Sequence, residues 1–165
     1  MAAGPERATA ARRRRAAPAA FAALCIASLL APATPALAFD LITPAEAALP
    51  SAPVSAFALR GSPTRGPHIT IVSPPPGAGT IHSPIELKLR YRAFGGAGIN
   101  TDTVVITYLK KPAVDITQRI KPFITPGGID IKNADVPPGL HEFWIELKDQ
   151  DGRVSGTEFS FQIAK

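Results

Sequence analysis

Sulfur and nucleophile chemistry is what this sequence has least of. Its 165 residues hold one cysteine, Cys25, and one methionine, Met1, both within the first 38 positions. A disulfide framework is thereby excluded, and so is a thiolate metal centre or a cysteine nucleophile. No Gly-x-Ser-x-Gly occurs, and His68, His82 and His141 stand far apart in the chain, without the short spacings that metal-binding or catalytic histidines use. The carboxylates are scattered singly except for Asp149 and Asp151, so no acid–base pair can be assigned. Surplus positive charge is also missing. The formal charge is +5, but five of the 18 Lys and Arg and one of the 13 Asp and Glu lie in residues 1–38, leaving 13 basic against 12 acidic groups. A nucleic-acid binder needs clustered cations to neutralise phosphates, so that class is set aside. Neither an enzyme nor a cofactor is expected.

What is present begins with an export pattern. Arg12, Arg13, Arg14 and Arg15 precede an apolar run from Ala19 to Ala31, which Pro32 and Pro35 break before Ala36-Leu37-Ala38. A basic start, an apolar middle and a small-x-small end make a secretory signal peptide over residues 1–38, cut between Ala38 and Phe39. The apolar run is shorter than the roughly 20 residues that span a bilayer. The chain is therefore expected to be exported, periplasmic or secreted, with no transmembrane span after cleavage.

Residues 39–66 are rich in Ala, Pro and Ser, with Pro44, Pro50, Pro53 and Pro63 spread among them. Proline fixes φ and removes a donor, so a linker is expected, or a docking segment because Phe39, Leu41 and Ile42 are bulky and apolar. One helical turn fits Pro44 to Leu49, with Thr43 as its cap.

From residue 67 to 165 the pattern becomes that of short strands. Ile85-Glu86-Leu87-Lys88-Leu89-Arg90-Tyr91-Arg92 alternates apolar and charged side chains, as do Leu140 to Lys148 and Glu158 to Ile163. This period of two marks half-buried strands. Ile69 to Val72, Ile129 to Lys132 and Thr103 to Leu109 add further β-rich runs, and Ile116 to Ile120 fits an edge piece or a helical turn. Asp149-Gln150-Asp151-Gly152 makes a hairpin turn. About seven strands with Pro/Gly turns predict an all-β antiparallel sandwich. Its core is expected from Ile69, Ile71, Ile85, Leu87, Leu89, Tyr91, Val104, Ile106, Tyr108, Ile129, Ile131, Phe143, Ile145, Leu147, Phe159, Phe161 and Ile163.

On these residues the stretch 67–165 resembles bacterial immunoglobulin-like domains of exported proteins. The resemblance rests on Ile69-x-Ile71-x-Ser73-Pro74, Ser83-Pro84-Ile85, Thr103-Val104-x-Ile106, Pro138-Gly139-Leu140-His141 and Asp149-x-x-Gly152-Arg153-x-Ser155. It implies a seven-stranded immunoglobulin-like sandwich and says little about activity, since this fold hosts many functions. Two features depart from antibody domains. The disulfide is absent, and His141 stands where many relatives carry the aromatic residue of a tyrosine corner, so a histidine corner bond is one expectation.

Three sets of residues are candidates for function. Alternation turns Trp144 outward, and Val105 and Leu109 on the neighbouring strand join it in an apolar patch rimmed by charge, the form of a protein-partner site. The competing readings are that Trp144 is a cross-strand packing residue or that residues 39–67 cover the face. Lys88, Arg90, Arg92 and Lys132 form a basic stripe on the other sheet, suited to an anionic surface or acidic glycan, or simply to solubility. Asp149 and Asp151 match only part of a calcium loop, which uses more carboxylates, and turn chemistry accounts for them equally. The function expected is a non-enzymatic module that recognises a partner in the cell envelope, through the Trp144 face or by strand addition at an open edge. The alternative is an accessory envelope module that binds a glycan, small ligand or cation through loops 74–80, 95–100 and 149–152.

Overall fold

Apolar and polar side chains alternate along the chain into two sheets that bury one face each. The computed structural model describes residues 39–53 and 66–165. The expected signal peptide, its cleavage site and residues 54–65 lie outside the described residues. In chain order the elements are β1 (Phe39–Asp40), α1 (Pro44–Ala47), β2 (His68–Ser73), β3 (Thr80–Ile81), β4 (Ile85–Arg92) and β5 (Ile99–Tyr108). They continue with β6 (Val114–Asp115), α2 (Thr117–Ile120), a single 3-10 turn (Lys121–Phe123), β7 (Ile124–Thr125), β8 (Gly128–Asp135), β9 (Gly139–Asp149) and β10 (Val154–Ile163).

One sheet runs β1-β8-β4-β2 with β7 added on β8, and the other runs β3-β10-β9-β5-β6. The architecture is an all-β, sandwich-like pair of sheets. It is not wholly antiparallel: β1 pairs with β8 in parallel, and so does β3 with β10. The chain leaves β2 in one sheet and enters β3 in the other. β3 therefore meets β10 heading the same way. Ile116 to Ile120 resolves into the helical turn α2 rather than an edge strand.

The two inner faces meet in one hydrophobic core. Every side chain assigned to it by alternation is buried except Ile71, which is half-buried at the edge strand β2. Tyr108, Phe143, Phe159 and Phe161 stack through this core at ring separations of 5.0 to 5.5 Å. Offset stacks of this kind add to what burial alone contributes. His141 closes the row. Its Nε2 donates to the Pro137 carbonyl at 2.8 Å and its Nδ1 lies 2.8 Å from the Tyr108 hydroxyl. A carbonyl only accepts, so Nδ1 is left to accept from Tyr108. The imidazole thus bonds a carbonyl four residues upstream.

Residues 39–53 are docked, so a free spacer does not describe them. Leu41 and Ile42 are buried in the core and β1 lies against β8. Phe39 meets Phe123 edge-on at 5.0 Å. The α1 turn forms the expected cap: Thr43 Oγ1 accepts from the Glu46 amide, and Glu46 accepts from the Thr43 amide. Arg119 on α2 then clamps it, with both guanidinium nitrogens on the Glu46 carboxylate at 2.9 and 3.0 Å and one on the Leu41 carbonyl at 2.7 Å. A bidentate, partly sheltered pair of this sort fixes orientation as well as adding energy. Glu46 is held at about 2, chiefly by the Arg119 hydrogen bonds.

Candidate functional site

The outer face of the sheet β3-β10-β9-β5-β6 carries Trp144 at its centre. Alternation along β9 sends Glu142, Trp144 and Glu146 outward while Phe143, Ile145 and Leu147 go in. On the flanking strands Trp144 sits opposite Thr107 of β5 and Glu158 of β10. Trp144 is half-buried, because its indole lies over Gly156 of β10, where a Cβ would meet the ring at 2.5 Å. The indole Nε1 is shielded from solvent and has no hydrogen-bond acceptor among the described residues.

Three carboxylates surround this ring. Glu142 and Glu146 stand two residues to either side of Trp144 on β9, and Glu158 stands opposite it on β10. Among the described residues none of the three is in an ion pair. Burial and the like charge of Glu142 push the Glu158 carboxyl above its ordinary value. Val105, 43% exposed, pairs with Glu146 and supplies the apolar edge. The face is thus an aromatic and aliphatic centre with a mainly acidic rim, and Lys148 lies exposed at its end on β9.

Leu109 does not belong to it. Expected to point outward, it is fully buried. β5 ends at Tyr108, where the Lys110 amide turns back to the Tyr108 carbonyl at 2.9 Å and breaks the alternation. Residues 50–52 then cover the spot, with Ala52 donating to the Leu109 carbonyl and Lys111 to that of Pro50. Lys110 is buried alongside, its Nζ on the Ala47 carbonyl at 3.1 Å and 5.1 Å from the Tyr108 ring centre. The docked segment therefore shields the end of the face but leaves Val105 open.

The basic stripe is shorter than expected. Lys88 is half-buried and paired with Asp130 at 3.2 Å and Glu86 at 3.6 Å. Arg90, Arg92 and Lys132 remain exposed on that sheet. Paired charge in the middle of the stripe lowers the field that a continuous row would offer an anionic surface.

Asp149 and Asp151 face a cation already, the Arg153 guanidinium. Arg153 Nε lies 2.7 Å from Asp149, its amide donates to the same carboxylate at 2.9 Å, and its Nη2 meets Asp151. Burial pushes the Asp149 carboxyl up, but these Arg153 contacts outweigh it and hold it below its ordinary value. Among the described residues no three His, Cys, Asp or Glu converge as metal ligands. The loops at 95–100 and 149–152 also satisfy one another: Gln150 donates to the Gly98 carbonyl at 2.9 Å, and Arg153 to that of Phe94 at 3.2 Å.

Two contributors to the face escaped sequence reasoning. Gly156 carried a signal, since glycine inside a strand marks a close approach, here that of the indole. Glu158 reads as one more outward position until the register places it against Trp144. Among the described residues no helix is long and apolar enough to cross a membrane. Comparison with family models, curated proteins and solved structures gives no match.

Proposed function

We propose that this chain is an exported, non-enzymatic module of immunoglobulin-like topology that recognises a protein partner in the cell envelope through the Trp144 face. The topology reading rests on strand order. The sheet order β8-β4-β2 supports it as a counterpart of strands E, B and A, and β5-β9-β10 as one of C, F and G. Export rests on the leader pattern of residues 1–38.

One observation carries the binding reading. Three carboxylates that have no ion pair among the described residues flank a half-buried tryptophan on one sheet face. Unpaired acids held close together repel one another. A basic partner relieves the repulsion and covers the half-buried ring. Aromatic anchors ringed by polar groups are the usual energetic centre of protein interfaces.

Site-specific photo-cross-linking tests this. A photoreactive side chain at Val105 in the exported protein is expected to trap a discrete partner in living cells. The same probe at Arg92, on the opposite sheet, is expected not to trap it. Equal adducts from both positions, or none from Val105, contradict the proposal.

A further inference from the structure

Among the described residues, the open edge of β10 points to how that partner is engaged. Other edges are occupied or broken: β8 is paired by β7 at residues 128–129 and by β1 at 134–135. β5 is paired by β6 at 107–108, and its Ile106 amide bonds Thr117 Oγ1 at 2.9 Å. β2 carries a bulge between Ile71 and Ser73. β10 differs. It runs from Val154 to Ile163 against β9 without a register shift, and β3 pairs only with Gln162 and Ile163.

The phase of its hydrogen bonds follows from the hairpin. The Asp149 amide donates to the Arg153 carbonyl at 3.1 Å. Antiparallel pairs alternate between residues that bond their neighbour and residues whose groups point away. Odd-numbered residues of β10 therefore bond β9, and Val154, Gly156, Glu158 and Ser160 aim their amides and carbonyls outward. The Ala164 amide, in the same phase, reaches the Ile81 carbonyl of β3 at 2.8 Å. Beside residues 158–160 the edge opens into a cleft of about 310 Å³, walled by Ile71, Pro74, Pro76 and Gly77. No lysine, proline or bulge, three of the guards against strand pairing, lies on this run.

We infer that the partner contributes an extended, basic segment that adds to the sheet as a new strand along β10. This rests on the Trp144 face being the binding face and specifies its occupant. An added strand projects alternate side chains onto that outer face, beside Glu158 and the indole, where lysine or arginine meets the unpaired carboxylates. A second copy of this chain is the wrong occupant. Pairing β10 with another β10 about its middle sets Glu158 of one copy near Glu158 of the other, and like charges across strands destabilise the pair.

The test uses the exported chain and a seven-residue peptide of alternating lysine and valine, with a twin N-methylated on alternate amides and a third peptide with glutamate for lysine. Amide exchange at Val154, Gly156, Glu158 and Ser160 is expected to slow at least tenfold with the lysine peptide, and with neither of the others. Ser160→Pro removes an outward amide that the fold does not use, so it is expected to weaken binding at least tenfold while Ser160→Ala leaves it unchanged. Unslowed exchange, or equal binding of the N-methylated twin, overturns strand addition even if Ser160→Pro fails to fold. Equal binding of the glutamate peptide overturns the basic preference. Dimers that Ser160→Pro dissolves overturn the proposal in favour of self-pairing. Persistent cross-linking from Val105 in Ser160→Pro overturns strand addition and leaves the Trp144 face standing; loss of cross-linking in the unaltered chain removes both.

Discussion

The indole of Trp144 lies across Gly156 on the adjacent strand, so close that a methyl group at 156 would touch the ring at 2.5 Å and the Ile145 carbonyl at 3.3 Å. The glycine is thus the seat of the aromatic side chain that centres the proposed binding face. Gly156→Ala is expected to push the indole out of its place and cost about 1–3 kcal/mol, the range for overpacking. Urea unfolding checks the stability, and a red-shifted tryptophan emission in the folded variant checks the displacement. Unchanged emission and midpoint would mean that the ring does not rest there.

Glu46 ties residues 39–53 to the sandwich, and its carboxyl is lowered from 4.5 to about 2 by Arg119 and Thr43. A carboxyl lowered by folding contributes stability that is complete above its unfolded value and is lost as the folded value is approached from above. Stability is therefore expected to fall between pH 4.5 and about 2 by roughly 1–2 kcal/mol, allowing for solvent screening of the partly exposed pair. Glu46→Gln is expected to flatten that part of the profile, measured as urea midpoints at successive pH values.

His141 titrates in a different window. Burial holds it below its ordinary 6.5, with the Lys110 charge acting in the same direction and the bond to Pro137 opposing. The unfolded chain then binds the proton more readily, so stability is full above pH 6.5 and declines as pH drops below it. His141→Gln is expected to remove this decline. It is also expected to cost about 1–3 kcal/mol at neutral pH, because Tyr108 and Pro137 lose buried partners.

Arg153 occupies the place where a cation would sit between Asp149 and Asp151. Millimolar calcium or EDTA is expected to leave the thermal midpoint of the unaltered chain unchanged. Arg153→Ala strands the Asp149 carboxylate, whose remaining protein donor is the backbone, and is expected to lower the midpoint. A calcium-dependent rise in the unaltered chain would contradict this assignment.

The sheets were legible because alternation survives wherever a strand has one wet face. β4, β9 and β10 kept it throughout their apolar positions, and the buried set from Ile85 to Ile163 followed. It failed at Leu109, where a turn back to Tyr108 and a covering segment bury consecutive residues. Ile99, Ile120 and Val136 are buried too, but short or irregular runs give them no period to read. The docking of residues 39–53 was half visible in Leu41 and Ile42; its clamp, Arg119 on Glu46, joins positions that no local pattern connects. The acidic ring around Trp144 depends in the same way on the β9–β10 register, which places Glu158 beside it.

The partner trapped from Val105 allows the most direct measurement, its affinity for the unaltered chain against Glu142→Gln/Glu146→Gln/Glu158→Gln. With the three carboxylates neutralised, affinity is predicted to fall at least tenfold and to lose most of its salt dependence, while the melting temperature stays the same or rises as like-charge repulsion is relieved. Undiminished affinity in a folded triple variant would contradict recognition through this face.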